Sequence, residues 1–393
     1  MPSRADAPAL LGSVLAPGGW ACASAAPTDA EDPGRFHTLF GRDSLIAALQ
    51  LLPVRPDVAR ATLRALAALQ GARDDLEIDE EPGKIAHEVW ERAPQRLHDA
   101  GWPIRNGGLR YYGSADSTSW FLVVLGALGD RALANELEPN WHAAGEWLER
   151  AIERGGGLVR HGPRTARGGL KQQGWRDTMD PLDPDTHGGG ILRADGSAPE
   201  PPLADADSQA VAVVAARALA RLSGEPRHRE LAAMLRETVR DAFDAETMAL
   251  EGDGRRVDGA GSQLGWLLWA DAAPVGAAER LVEPDVITPW GLRTLSSAHP
   301  QFDPCAYHRG SIWPFDSWLG WAGLHAAGRA TEAERLRTGV LDAIDRLGGA
   351  PELYAVGPDG PEPIPIANRI QAWTVGARWA LENRWDGISV RTT

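Results

Sequence analysis

Six stretches of the chain are apolar almost all the way round a helix: residues 44–52, 117–128, 208–222, 264–270, 318–327 and 370–381. A helix with so little polar face is expected inside a larger assembly, covered by its neighbours. Between these stretches lie others with a single apolar stripe. Residues 56–70 carry Val58, Ala61, Ala65 and Leu69 on one side, with Pro56 at the start and Gly71 just past the end, where a helix tolerates each. Residues 141–153 place Leu148 and Ile152 four apart. Residues 225–243 repeat Leu231, Leu235, Val239 and Phe243 at the same step, and 331–347 gather Leu336, Val340, Ile344 and Leu347 on one face. A shorter amphipathic stretch, 277–282, follows the fourth buried one, and residues 8–15 supply a sixth outer candidate ahead of the first.

Buried and amphipathic helices therefore alternate, while strand signals are scarce. The arrangement that satisfies both kinds is an all-α ring, an (α/α)6 barrel of six inner helices wrapped by about six outer ones. An open helical solenoid is the competing architecture. We expect one catalytic domain over residues 1–393, with 1–35 as a less defined N-terminal segment. If the inner helices all run the same way, the segments preceding them gather at one mouth. Those segments are 40–43, 111–116, 172–180 with Asp205 and Asp207, 261–263, 307–316, and 351–354 with Asn368. They hold most of the chemistry-bearing side chains, so a pocket is expected there.

Composition narrows the partners. A formal charge of −14, with no basic patch to offset it, argues against nucleic acid, whose binding rests on neutralised phosphates. No stretch approaches 18 uncharged apolar residues, so no membrane span is expected. The apolar run 9–16 is broken by Gly12, ended by Pro17 and preceded by Asp6, a poor secretory signal. Cys22 and Cys305 are too few for a disulfide framework or a metal cluster. Free thiols suit a reducing compartment, and a cytoplasmic location is expected. The 16 Trp outnumber the 10 Tyr and Phe together. Indoles in excess either line a pocket for ring-shaped ligands or fill the core.

Several strings occur in order between residues 40 and 373: FGRDSLIAALQLL, EEPGKIAHE, YYGSADST, GGLKQQGWRDTMD, GLRTLS, YHRGSIWPFD and PELYA, followed by QAW. Together they resemble the bacterial amylo-α-1,6-glucosidase (glycogen-debranching-like) family. That family is similar to a wider group of (α/α)6-barrel glycosidases, including trehalases, processing α-glucosidases and glucosylglycerate or mannosylglycerate hydrolases. The resemblance implies an inverting, exo-acting hydrolase of an α-glycosidic bond. Long debranching enzymes carry additional domains that this chain has no room for, which favours a small glycoside, and a glucosylglycerate- or mannosylglycerate-type hydrolase is the alternative. It also implies the acid at Asp177, in the turn Trp175-Arg176-Asp177, and the base at Glu352 in Pro-Glu-Leu. Inverting hydrolysis needs such a pair, one carboxyl protonating the leaving oxygen and the other activating water on the opposite face. Asp180 is the rival for the acid, and either Asp could instead be an Asx-turn residue.

By the same resemblance Asp43 would accept hydrogen bonds from hydroxyls of the terminal sugar and Arg42 would orient nearby carboxylates; the alternative for the pair is a helix cap with a surface Arg. Lys84, His87 and Glu88 follow an acidic run, 74–81, and are expected to wall the pocket. Tyr112, Asp116, Trp175, Arg176, Gln209, Tyr307, His308, Trp313, Asp316, Gln371 and Trp373 complete the expected substrate-binding set. Trp175, Trp290, Trp313 and Trp373 either stack on a sugar or hold a loop down. No cofactor or metal is expected. His87-Glu88 does not open an HExxH helix, Gly155–Gly157 and Gly188–Gly190 precede no GK[ST], and the loop from Asp183 has Ala194 where a calcium loop needs Glu. An isoprenoid-cyclase-like toroid or a non-catalytic carbohydrate-binding scaffold are the rival classes. The first lacks its Asp-rich motif, and the second has no need of the Asp177/Glu352 pair.

Overall fold

A computed structural model describes residues 7–27, 35–164, 169–183 and 187–388. In chain order its helices are α1 (Ala7–Ser13), α2 (Gly41–Gln50), α3 (Pro56–Ala67), α4 (Gln95–Asp99), α5 (Ser117–Leu128), α6 (Arg131–Glu136) and α7 (Glu138–Arg154). They continue with α8 (Ala206–Ser223), α9 (Pro226–Ala242), α10 (Gln263–Trp269), α11 (Ala277–Leu281), α12 (Pro314–Ala326), α13 (Ala330–Leu347) and α14 (Ala372–Asn383). The expected apolar stretches lie in α2, α5, α8, α10, α12 and α14, and these form a closed circuit. Each packs on the next, and α14 packs back on α2. The open solenoid is thereby excluded. The amphipathic helices lie behind them: α3 against α2 and α5, α7 against α5 and α8, α9 against α8, α11 against α10, α13 against α12 and α14, and α1 against α14.

Local chemistry sets the ends. Pro56, Pro226 and Pro314 begin α3, α9 and α12, where the missing N–H costs nothing. Asp205 caps α8 by accepting from the Ser208 N–H at 2.8 Å. Gly129 and Gly224 close α5 and α8 in the left-handed conformation, at φ +62° and +69°. Where α10 meets α12, the contact is made by small residues. A Cβ on Gly265 of α10 would stand 2.5 Å from the Gly320 Cα of α12, and one on Gly323 of α12 would stand 2.3 Å from the Gly265 carbonyl oxygen, so Gly265 and Gly323 must stay bare for the two backbones to meet.

The expectation of a nearly pure helical protein needs a correction. Among the described residues there are ten short strands: β1 (Leu39–Phe40), β2 (Glu88–Trp90), β3 (Leu109–Tyr111), β4 (Ala204–Asp205), β5 (Thr247–Leu250), β6 (Arg256–Asp258), β7 (Ile287–Thr288), β8 (Gly291–Leu292), β9 (Tyr354–Gly357) and β10 (Gly360–Pro363). They form antiparallel sheets β1-β2-β3, β4-β5-β6, β7-β8 and β9-β10. Every one lies in a segment running from an outer helix to the next ring helix. The strands stiffen the side of the ring where α2, α5, α8, α10, α12 and α14 begin. Their pairing sets the site register, placing Phe40 opposite Glu88 and Glu88 opposite Tyr111. None of the described helices is long and apolar enough to cross a membrane.

Candidate active site

The first residues of the ring helices meet through one another's side chains. Gln371, which precedes α14, donates to Asp43 Oδ1 of α2 at 3.3 Å. Arg42 of α2 grips Asp116, just ahead of α5, with Nε at 3.0 and 2.8 Å from its two oxygens. Arg176 ties Asp207 of α8 (3.0 Å) to Ser262 ahead of α10 (3.0 Å) and to the Thr294 carbonyl (2.8 Å). Trp266 of α10 donates to Asp316 of α12 at 2.5 Å. Beneath this circuit lies an aromatic floor. Trp175 stacks on Trp266 with centroids 5.9 Å apart and meets Trp313 and Phe315 edge-on, while Trp373 stacks on Phe315 at 4.0 Å. Trp175, Trp313 and Trp373 are buried, so they hold loops down. Trp290 lies apart, under the Arg346 guanidinium and beside α13.

Asp177 lies between α7 and β4. Arg42 Nη1 reaches its Oδ2 at 2.7 Å, and His87 Nε2 stands 3.6 Å from the same oxygen. The side chain keeps 24% of its surface open, whereas Arg42 and Asp116 are sealed. Two effects oppose each other on its proton. Burial raises the Asp177 pKa and the Arg42 charge lowers it, with a net rise. His87 is held neutral, because burial and the charges of Arg42 and Lys84 keep its pKa well below the imidazole range. Glu88 is buried close enough to feel the Asp177 charge; burial pushes it up to about 7 against the pull of the Trp90 N–H. Asp180 lies outside this group. It is exposed and accepts from Leu182 N at 2.9 Å, an Asx turn.

Glu352, between α13 and β9, is fully buried. Asn368 donates to Oε2 from both its backbone and side-chain nitrogens, each at 2.9 Å, and the Tyr307 hydroxyl donates to Oε1. These donors favour the ionised form, yet burial outweighs them and lifts the pKa to about 7. Tyr307 stays protonated, since burial and the Glu352 charge drive its phenol well above its usual range. Asn368 also donates to Gln371 Oε1 at 3.1 Å, so an unbroken chain runs Glu352–Asn368–Gln371–Asp43. Burial raises Asp43 well above the carboxylate range. Arg42 opposes the rise, while the charges of Asp177, Glu352 and Asp116 add to it. Asp43 thus feels both candidate catalytic carboxylates.

Not every expected pocket residue reaches the mouth. Lys84 is drawn behind the ring, 3.7 Å from Glu81 and over the Trp147 ring of α7. Tyr112 donates to the Leu69 carbonyl at 2.7 Å and packs on Ile78 and Ala86. Its neighbour Tyr111 is the residue that meets His87 edge-on. Gln209 exchanges hydrogen bonds with the Val159 backbone at 2.9 and 2.7 Å. Arg176 and Asp316 lie under the floor as a buried clasp, with burial raising Asp316 to about 7. His308 stacks on Trp313 at 5.3 Å, and burial holds its pKa well below the usual range, so it is neutral. Asn368 belongs to the mouth segments, but nothing in the sequence assigns it a role. Arg35, whose backbone donates to Asn368 Oδ1 at 3.0 Å and whose charge acts on Glu352, gives no sequence signal. Among the described residues, no group of three His, Cys, Asp or Glu side chains is arranged to hold a metal ion.

The raised Glu352 pKa has a signed consequence. The carboxyl titrates at about 7 in the folded chain against an ordinary 4.5. Between those values the folded chain keeps a proton that the unfolded chain has released. Its contribution to stability is therefore full below about 4.5 and lost as pH rises through about 7. Gln at this position does not titrate. The unfolding midpoint of Glu352→Gln should gain on that of the parent as pH rises across this window. A constant offset would mean that the carboxyl titrates normally.

Carboxyls of this kind, set round a mouth floored by indoles, fit acid–base cleavage of a sugar linkage, and comparison with known proteins makes the class plain: the chain is a glycoside hydrolase. It belongs to the mannosylglycerate hydrolase MGH1-like glycoside hydrolase domain family, whose model matches residues 39–355. The fold is that of a GH63 mannosylglycerate hydrolase from Thermus thermophilus, solved with Tris and D-glycerate. That chain is 18% identical, with a TM-score of 0.70 over 97% of this chain and 99% of that one. The same enzyme solved with glucose gives 17% identity and a TM-score of 0.69 over 98% and 100%. No curated protein sequence matches the chain. The resemblance to amylo-α-1,6-glucosidases therefore holds at the level of the wider glycosidase group, and the family shown is the mannosylglycerate hydrolase-like one.

Proposed function

We propose that the protein is an inverting, exo-acting hydrolase of a small α-glycoside of the mannosylglycerate or glucosylglycerate type, built as a single (α/α)6-barrel catalytic domain with residues 1–35 as an N-terminal segment. Asp177 is the general acid and Glu352 the general base. The observation that carries this is the buried carboxyl Asp43, joined by hydrogen bonds through Gln371 and Asn368 to Glu352 and adjacent in the chain to Arg42, which grips Asp177. An inverting reaction needs its two carboxyls to stand far enough apart for a sugar ring and a water, and the pair proposed here comes from separate sectors of the ring. Glu352, in the form that has lost its proton, takes a proton from that water as it attacks the anomeric carbon. Asp177, protonated, gives its proton to the leaving oxygen, and Arg42 then stabilises the carboxylate it leaves behind. Asp43, whose pKa burial raises, meets the sugar hydroxyls as a hydrogen-bonding carboxyl.

The family supports a glycosylglycerate over the branched glucan implied by the motif strings, and the thiol Cys22, buried and free, is consistent with a reducing cytoplasm. A panel of mannosylglycerate, glucosylglycerate, maltose and an α-1,6-linked oligosaccharide tests the assignment. Turnover of a glycosylglycerate at the highest kcat/KM is expected. Preference for the branched oligosaccharide would return the assignment to the debranching type.

A further inference from the structure

We propose that His161, itself held by Asp205, is a positioning residue for the segment 172–178 and so for the Asp177 carboxyl; this rests on the reading of Asp177 as the acid. His161 follows α7 and pairs with Leu203 through two backbone hydrogen bonds of 2.8 and 2.7 Å, so its own backbone is fixed. The Gln173 backbone N–H points at its Nδ1 from 3.1 Å. A backbone N–H can only donate, so Nδ1 is the bare nitrogen and the ring proton sits on Nε2. Nε2 then donates to Asp205 Oδ2 at 2.8 Å, while the other oxygen of Asp205 caps α8 through Ser208 N. The tautomer follows from these partners, and a carboxylate behind an imidazole is the usual device for fixing its orientation. An unbroken line runs from the start of α8 through Asp205 and His161 to the backbone of the acid's own turn.

The rest of that turn is gripped from other directions. Gln173 O accepts from Ala115 N at 2.8 Å, its side chain donates to Asp79 at 3.0 Å, and Gly174 O accepts from Arg42 Nη2 at 2.9 Å. Asp205 also presses on Gly174, where an added Cβ would stand 2.8 Å from Oδ2. His161, Asp205 and Gln173 are all buried, so water does not replace a lost partner easily. Glu352 is held by Asn368 and Tyr307, none of which His161 touches. Loss of His161 should therefore disturb proton donation and spare the base.

That separation gives the test. Mannosylglycerate needs its leaving oxygen protonated, whereas α-mannosyl fluoride leaves with little help from an acid; both need the base. His161→Gln keeps a donor towards Asp205 but removes the acceptor for Gln173 N. His161→Asn places an acceptor near the Nδ1 position and removes the donor. For His161→Gln, kcat/KM on mannosylglycerate should fall by about 10²-fold, the scale of a misplacement of about 1 Å, with fluoride turnover little changed. His161→Asn should lose less. If both substrates fall together, or neither falls in a folded His161→Gln, the proposal is overturned. Should His161→Gln fail to fold, His161→Asn decides by the same ratio. Asp177→Asn is run alongside. If it shows no preference for the fluoride, the acid assignment has failed; if it does and the His161 variants do not, only the role of His161 is lost.

Discussion

Glu352→Gln is expected to bind substrate nearly as the parent does and to turn over neither mannosylglycerate nor the corresponding α-fluoride. The loss should reach at least the factor of about 10² to 10⁴ usual for a proton-transfer catalyst. Gln is close to the shape of Glu and can still accept from the Asn368 nitrogens, so the Asn368–Gln371–Asp43 chain should survive. What it lacks is a basic oxygen for the attacking water. The fluoride gives no relief, because its hydrolysis also needs the water deprotonated. Steady-state kinetics on both substrates, with binding measured calorimetrically, checks this. A variant that recovers on the fluoride would show that Glu352 serves the leaving group, reversing the two roles.

Asp177→Asn should behave differently. Loss of the acid costs about 10² to 10⁴ on a substrate with a poor leaving group, and the cost should shrink towards nothing on the fluoride. Asn leaves the Arg42 guanidinium with one neutral oxygen to face instead of a carboxylate. The Asp116 half of that clasp, at 2.8 and 3.0 Å, remains. The fold should therefore hold, and the ratio of the two substrates should carry the whole signal. Asp180→Asn, at an exposed Asx turn, should be close to the parent on both. A severe Asp180→Asn beside a mild Asp177→Asn would move the acid by three residues.

The ring is legible in the sequence where a full turn of apolar residues leaves no alternative to burial. Residues 117–128 give α5 with the same bounds; Ser114 accepts from the Ser117 N–H at its start, and Gly129 closes it in the left-handed conformation. The short helices α4 and α6 span five and six residues, too few for a 3.6-residue period to register. The strands escape for a similar reason, since two to four residues cannot display an alternation of two. Within the site, Asp177 and Glu352 are named by the motif strings, through the resemblance that those strings carry. The motif strings point to Tyr112, yet it is Tyr111 that faces His87. In a strand a slip of one residue reverses the face, and β3 gives no independent register until β2 is paired with it. His161 and Asp205 belong to a tertiary pairing 44 residues apart in sequence, which no local pattern records.

In the proposed reaction, water attacks from the face opposite the leaving group. Inverting enzymes hold their carboxyls about 6.5–9.5 Å apart to admit that water, whereas retaining ones bring them to about 5–5.5 Å and form a glycosyl-enzyme. Following the anomeric proton by NMR from the first seconds of turnover on an α-glycoside distinguishes the two. The β-sugar must appear first and give way to the equilibrium mixture only as mutarotation proceeds. If the α-sugar appears first, or a glycosyl adduct is trapped on Glu352, the inverting pair is wrong.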